Sequence, residues 1–407
     1  MRARAVATST PAKRHMPQAM GETEIPLLPS GTGWAVGEVI PLIGIEIMAQ
    51  TIRYGILGTG MMGCEHIRNI ALIPGATITA IADPVEASLG WAADSLGDAR
   101  PARFRNAEEL AAKGEIDAVV VASPNFTHRA VLEPLFDAGV AILCEKPLAT
   151  TVEDARWVVE KAEASKAPFW TGMEYRYMPP MARFVEQVHA GRIGKLQMLS
   201  IREHRFPFLE KVGDWNRFSR NTGGTMVEKC CHFFDLMRLI VRSEAVRVFC
   251  SGAMDVNHLD ERYDGQAPDI IDNSYTVVDF ADGTRALLDL CMFADGAEHQ
   301  EEVSATGDQA RLDVLIPPGE LVFSPRVGFR ADKAVVREMV EVDEAAMTAG
   351  SHHGATFHQH EAFARAVRGE GKVEVTARDG LMAVAIGAAA EISAREKRVV
   401  EMRELLG

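Results

Sequence analysis

The stretch IRYGILGTGMMG, residues 52–63, begins as an apolar run of strand character and ends in the pattern G-x-G-x-x-G at Gly58, Gly60 and Gly63. A segment of helical period follows, with His66, Ile67, Ile70, Ala71 and Ile73 along it. Alone, such a glycine pattern is weak. Between a strand and a helix it points to a dinucleotide-binding turn. Gly58 permits the tight turn, Gly60 lets backbone approach a pyrophosphate, and Gly63 lets helix and strand pack closely. Thr59, Met61 and Met62 complete the loop. The helix N-terminus adds unpaired N–H groups and the positive end of a dipole. Gly31-Thr-Gly33 has no strand before it and no helix after it, and is set aside.

A second strand, Thr77–Ala82, ends at Asp83, twenty positions beyond Gly63. A carboxylate there accepts both ribose hydroxyls and repels a 2′-phosphate, so NAD is expected over NADP. The alternation continues with a helix over 86–97, a short strand Ala102–Phe104, a helix over 106–113, a strand Ile116–Ala122 expected to be buried on both faces, a helix His128–Ala138 and a strand Val140–Cys144. Strands alternating with helices at this spacing predict an α/β Rossmann fold, a doubly wound parallel sheet. Ligands of such sheets sit beyond the carboxyl ends of the strands, which places Ser123-Pro124-Asn125 and Glu145-Lys146-Pro147 at the crevice.

From about residue 171 the texture changes to alternating segments at Leu196–Glu203, Ser274–Phe280, Arg285–Leu290, Glu302–Thr306 and Ala310–Ile316, with helices near 179–190, 224–241, 357–368 and 378–396. An α+β domain with a largely antiparallel open-faced sheet is expected. The reading divides the chain into an extension over 1–47, a nucleotide domain over 48–170 and a substrate and oligomerisation domain over 171–407. Residues 1–47 are basic near their start and broken by Pro and Gly, without the apolar core of a secretory signal, so they read as a poorly ordered extension or as sequence before a natural start at Met48.

The chain carries 43 basic and 57 acidic residues, net −14, which argues against nucleic acid or an anionic membrane as partner. No apolar run approaches the ~20 residues of a membrane helix. Six cysteines without C-x-x-C spacing suit a reducing cytoplasm.

The motifs GILGTGMMG, VVVASPNFTH, CEKPLATT, EYRYMP and GGTMVEKCCHFFD, in that order, resemble the Gfo/Idh/MocA oxidoreductase family, the relatives of glucose–fructose oxidoreductase and inositol dehydrogenase. The resemblance runs from Ile52 to the C-terminal helix. It implies NAD- or NADP-dependent oxidation or reduction of a secondary alcohol or ketone on a sugar, inositol or related polyol. It makes Lys146 the active-site lysine and His232 the catalytic histidine, with Glu228 in the place of the family's aspartate. Glu145, Ser123, Pro124, Asn125 and His128 match the nicotinamide side of the crevice, and Arg176 and Tyr177 a segment near cofactor and substrate. A cis Lys146–Pro147 bond is also implied.

The chemistry stands beside the resemblance. Oxidising a carbinol requires a group that takes the hydroxyl proton, and an imidazole titrating near neutrality suits that role. Lys146, beside a cationic nicotinamide, is expected to have its ammonium form disfavoured and to polarise the substrate oxygen. Glu228 lies four residues before His232, so on one helix both project from the same face and the carboxylate can orient the ring. Candidates for remote substrate hydroxyls are Arg176, Tyr177, His204, Trp215, Arg217 and Asp235. Cys230 and Cys231 point about 100° apart on a helix and read as buried fillers rather than metal ligands. His352, His353, His358 and His360 read as a helix start, not a metal site. A redox glycosidase and a non-catalytic NAD-binding sensor are the competing classes. An open sheet face needs covering, so a homo-oligomer is expected.

Overall fold

β1 (Ile52–Leu57) lies at the centre of a sheet whose other strands are β2 (Ala76–Ala82), β3 (Ala102–Phe104), β4 (Ala118–Val121), β5 (Ala141–Glu145) and β6 (Phe169–Gly172). The computed structural model describes residues 51–329, 334–350 and 352–407, so the reading of 1–47 lies outside the described residues. The order is β3-β2-β1-β4-β5-β6, every pairing parallel. Strand order reverses between β1 and β4, and this opens a ligand crevice beyond their carboxyl ends. The intervening helices start where the residues dictate. Asn106 accepts from Glu109 N to cap Ala107–Lys113, and Thr151 accepts from Asp154 N to cap Val152–Ala164.

The second sheet contains β7 (Leu196–His204), β8 (Ala245–Ala253), β9 (Asn273–Phe280), β10 (Arg285–Cys291), β11 (Glu301–Gly307), β12 (Ala310–Ile316), β13 (Glu320–Pro325), β14 (Val336–Met339) and β15 (Val400–Glu401). Its order among the described residues is β14-β13-β12-β11-β7-β10-β9-β8-β15. All neighbours run antiparallel except β7 and β10. Alternation puts Leu199, Ile201, Val278, Leu288, Val303 and Leu312 on one face, buried against Phe233, Phe234 and Met237 of the helix Cys231–Val241. Phe249, Tyr275 and Val277 alternate to the other face and are exposed.

Both sheets belong to one compact unit, Met48–Gly407. The helix Ala355–Val367 contributes Phe363 to the core of β1, beside Tyr54 and Trp170. The helix Ala377–Glu396, opened by a capping box at Thr376 and Asp379, lies under the site. Its Gly387 permits a close approach, since a Cβ there would stand 2.5 Å from the carbonyl oxygen of Met226. The glycine thus seats the segment carrying Glu228 directly on this helix.

The expected helix over 224–241 is broken. Thr225–Glu228 and Cys231–Val241 form separate helices, and the amides of both Lys229 and Cys230 reach back to the Thr225 carbonyl. Glu228 and His232 therefore do not stack one turn apart on a single face.

Candidate active site

Beyond the carboxyl ends of the parallel strands lies a cleft of about 920 Å³. One end is formed by Gly58, Gly60, Met61, Met62 and Asp83, the other by Glu145, Lys146 and Glu228. Ser123, Pro124 and Asn125 line the stretch between them, and Trp215 faces them from the second domain.

The glycine end fits a dinucleotide. Gly58 has φ +91°, and a Cβ there would meet the Ala122 carbonyl at 2.6 Å. A Cβ on Gly63 would stand 2.0 Å from the Gly58 oxygen, whereas one on Gly60 would meet nothing within 4 Å. Gly58 and Gly63 thus serve the turn, and Gly60 leaves open space for a phosphate. No side chain caps the helix Met61–Ile70, so its first N–H groups remain available. Asp83 closes β2 and accepts from the Thr59 amide at 2.8 Å and the Val85 amide at 2.8 Å, which keeps the carboxylate at the cleft wall. Thr59 itself is buried and points its hydroxyl at Asp83. The Asn125 side-chain amide is buried without a protein partner, as a group awaiting a ligand would be.

The two loops of the crevice are tied by His128. Its ring nitrogens lie 2.9 Å from the Pro147 carbonyl and 3.1 Å from the Ser123 carbonyl. His128 is fully buried, so it holds the walls rather than touching a ligand. The Lys146–Pro147 bond is cis, as the resemblance implies. Glu145 turns away from solvent to His66 Nε2 at 2.9 Å, and the other ring nitrogen of His66 meets His360 at 2.8 Å.

Lys146 reaches toward the Glu228 carbonyl at 3.5 Å. Burial works against its ammonium, but Cys231, Glu174, Glu145 and Glu228 outweigh that and hold its pKa above the usual value. In the chain by itself the acidic neighbours thus keep the charge; the expectation of a disfavoured ammonium concerns Lys146 beside a bound nicotinamide cation. Burial raises Glu228 to about 7 against the opposing pull of Lys146, Lys211 and Arg217, and its Oε2 has no hydrogen-bond partner.

His232 is buried at 2% exposure and stacks on Tyr175 at 4.1 Å, with 8° between the ring planes. Its Nε2 stands 3.5 Å from Glu174 Oε1, and its Nδ1 is without a partner. The carboxylate beside the imidazole is thus Glu174, not Glu228, because the helix break turns Glu228 into the cleft. Burial, followed by Lys146 and Lys229, pushes His232 well below the ordinary histidine value. It is neutral at pH 7 rather than titrating there.

Other expected site residues are placed elsewhere. Arg176 is locked by both guanidinium arms onto Asp235, with Asp379 at 3.5 Å, so it braces the fold rather than holding cofactor. Tyr177 donates to Glu374, and Asp235 is occupied by Arg176. Arg217 is buried and donates to Glu261, and His204 meets Asp289 across β7 and β10. Trp215 alone of this group lines the cleft, its ring edge-on to Phe126 at 6.0 Å. The sequence reading missed Lys211, Phe126, Trp91 and Arg105, which also line it. It also missed Glu174, which sits in the EYRYMP motif but was passed over for Arg176 and Tyr177. Three of the four histidines over 352–360 go to separate partners: His352 bonds Glu65, His358 bonds Glu361 and His360 meets His66. Among the described residues no group of three or more His, Cys, Asp or Glu is arranged to hold a metal ion.

A family model described as an oxidoreductase family with an NAD-binding Rossmann fold matches residues 52–173, and its C-terminal alpha/beta partner matches 185–402. The chain is 26% identical to an inositol 2-dehydrogenase of Rhizobium meliloti, over 87% of this chain and 100% of the relative. It is 27% identical to a myo-inositol 2-dehydrogenase of Thermotoga maritima, over 88% and 100% respectively. The solved scyllo-inositol dehydrogenase of Lactobacillus casei, with bound NAD(H) and scyllo-inositol, superposes with a TM-score of 0.68 at 22% identity, covering 87% of this chain and all of that one. At that identity the likeness is one of fold.

Proposed function

The chain belongs to the Gfo/Idh/MocA oxidoreductase family, with its NAD-binding Rossmann fold and C-terminal alpha/beta domain, and from that premise we propose that it oxidises a secondary alcohol of a cyclic polyol, an inositol or a related sugar. The observation that carries this reading is the shared cleft. Lys146 and Glu228 close the same cavity that begins at the glycine turn and Asp83.

NAD, when bound, supplies the hydride acceptor. The residues to hold it are Gly58 to Met62, Asp83 and the Ser123–Asn125 turn. Lys146, as an ammonium, donates a hydrogen bond to the substrate oxygen and stabilises the alkoxide character that develops there. His232, neutral, buried just behind the cleft wall and with an unpartnered Nδ1, is the base that takes the hydroxyl proton. Glu228 and Lys211 supply polar contacts to the ring hydroxyls, and Trp215 offers a flat apolar face to the ring.

A screen of NAD reduction across inositols, aldoses, anhydrosugars and glycosides tests this. Turnover with a free polyol or sugar supports it. Aglycone release from a glycoside without net NAD reduction replaces it with a redox glycosidase. NAD binding without turnover on the panel leaves a sensor.

A second copy of the chain is the proposed cover for the open sheet face. Phe249, Val277 and Leu287 form one row across β8, β9 and β10, and Phe249, Tyr275 and Val277 are exposed. A monomer by light scattering, unaltered by Phe249→Glu, counts against it.

A further inference from the structure

We propose that Glu174 and His352 carry the proton taken by His232 out to solvent. The proposal rests on the alcohol-oxidising reading above.

Glu174 is 1% exposed, and neither of its oxygens has a hydrogen-bond partner. A buried carboxylate in that condition is costly and asks for an explanation. Its Oε1 lies 3.5 Å from His232 Nε2 on one side and 4.0 Å from His352 Nε2 on the other. Both gaps exceed a hydrogen bond, so the carboxylate is poised between two rings rather than fixed to either.

The rings are held from behind. Tyr175 stacks on His232, and His352 Nδ1 lies 2.7 Å from Glu65 Oε1, which also accepts from Thr356. His352 opposes the buried end of the chain with a side chain 25% exposed. Glu65, despite its burial, is held down to about 2 by His352, Thr356 and His66, so it stays an anion and does not trap the proton. Burial, and then Glu145, lifts Glu174 to about 7, so both its protonation states are accessible near neutral pH. The other charges facing it are His352 and Lys146, and Lys229 and Arg205 act on His232 from the far side.

The transfer balances in protons alone. His232 Nδ1 accepts the hydroxyl proton, and its Nε2–H passes to Glu174, which becomes the neutral acid. Glu174 then protonates His352 at Nε2 while the Nδ1–H of His352 keeps donating to Glu65. The His352 cation returns its Nε2 proton to water. No electrons move on this path. Glu174 and His352 end as they began, while His232 ends as its Nδ1–H tautomer and regains the Nε2–H by exchange of its ring protons before the next turnover.

Two measurements on the full chain test the route. In the protein with 15N-labelled histidine, Glu174→Gln shifts the His352 titration to lower pH, since a neighbouring anion is lost. An unmoved titration overturns the route whether or not any substrate is known. In turnover, His352→Gln lowers kcat at least about tenfold with KM unchanged, and added imidazole restores the rate while leaving the parent unaffected. Unchanged kcat in both variants overturns the route, and so does loss of NAD binding together with kcat, which marks a structural role. A parent inactive on every polyol fails the reading of the activity, and the titration still decides the route.

Discussion

His232 Nε2 stands 3.5 Å from Glu174 Oε1, while Glu228, four residues earlier in sequence, turns into the cleft beside Lys146. One break in a helix sends two carboxylates to two places. Glu174 lies beside the imidazole, and Glu228 lines the cleft.

Glu228 makes stability depend on pH in a definite direction. Its pKa is raised from 4.5 to about 7, chiefly by burial. Its contribution to stability is fully present below the unfolded value and is lost as pH rises through about 7. Glu228→Gln removes that loss. The variant is expected to match the parent near pH 4 and to exceed it at pH 8 by on the order of 3 kcal/mol. Urea unfolding of both proteins at several pH values reads this difference, and a gap that does not widen with pH contradicts the assigned environment.

Asp83 is expected to set the cofactor. Its carboxylate stands at the cleft wall on the Thr59 and Val85 amides. Asp83→Ser removes the repulsion of a 2′-phosphate. The ratio of kcat/KM for NAD over NADP should fall at least about tenfold, an estimate from one close charge pair near a surface. An unchanged ratio places the ribose elsewhere.

Arg176 braces Asp235 at 1% side-chain exposure, so Arg176→Met leaves a buried carboxylate unpaired. A stability loss of about 3–5 kcal/mol is expected, with KM for NAD unaltered in the folded fraction. A raised KM without loss of stability restores a role in cofactor binding.

The nucleotide-binding half was legible because its signals are local. Ile52–Leu57, Ala102–Phe104 and His128–Ala138 have the bounds that periodicity predicts, and the glycine turn stands between strand and helix. In the second half, alternation located β7, β9, β10, β11 and β12, but not the parallel pairing of β7 with β10, which is set by tertiary contacts. The site was half legible. Lys146 follows directly from the end of β5. The partner of His232 did not, because Glu174 is 58 positions away in sequence and only the packed fold brings it near. Helical spacing suggested Glu228 instead, and the bend at Lys229 and Cys230 leaves no mark in the period. The cysteines that mark the motif are buried, and Cys231 turns its thiol to the Glu228 carbonyl at 3.5 Å.

The most direct test of the central claim is the pair Lys146→Ala and His232→Ala, assayed on a polyol that the parent oxidises with NAD. Lys146 lines the cleft and His232 lies behind it, so both variants should bind NAD as the parent does. Each should lose about 10²- to 10⁴-fold in kcat. Full turnover in either variant, with NAD binding intact, contradicts the mechanism.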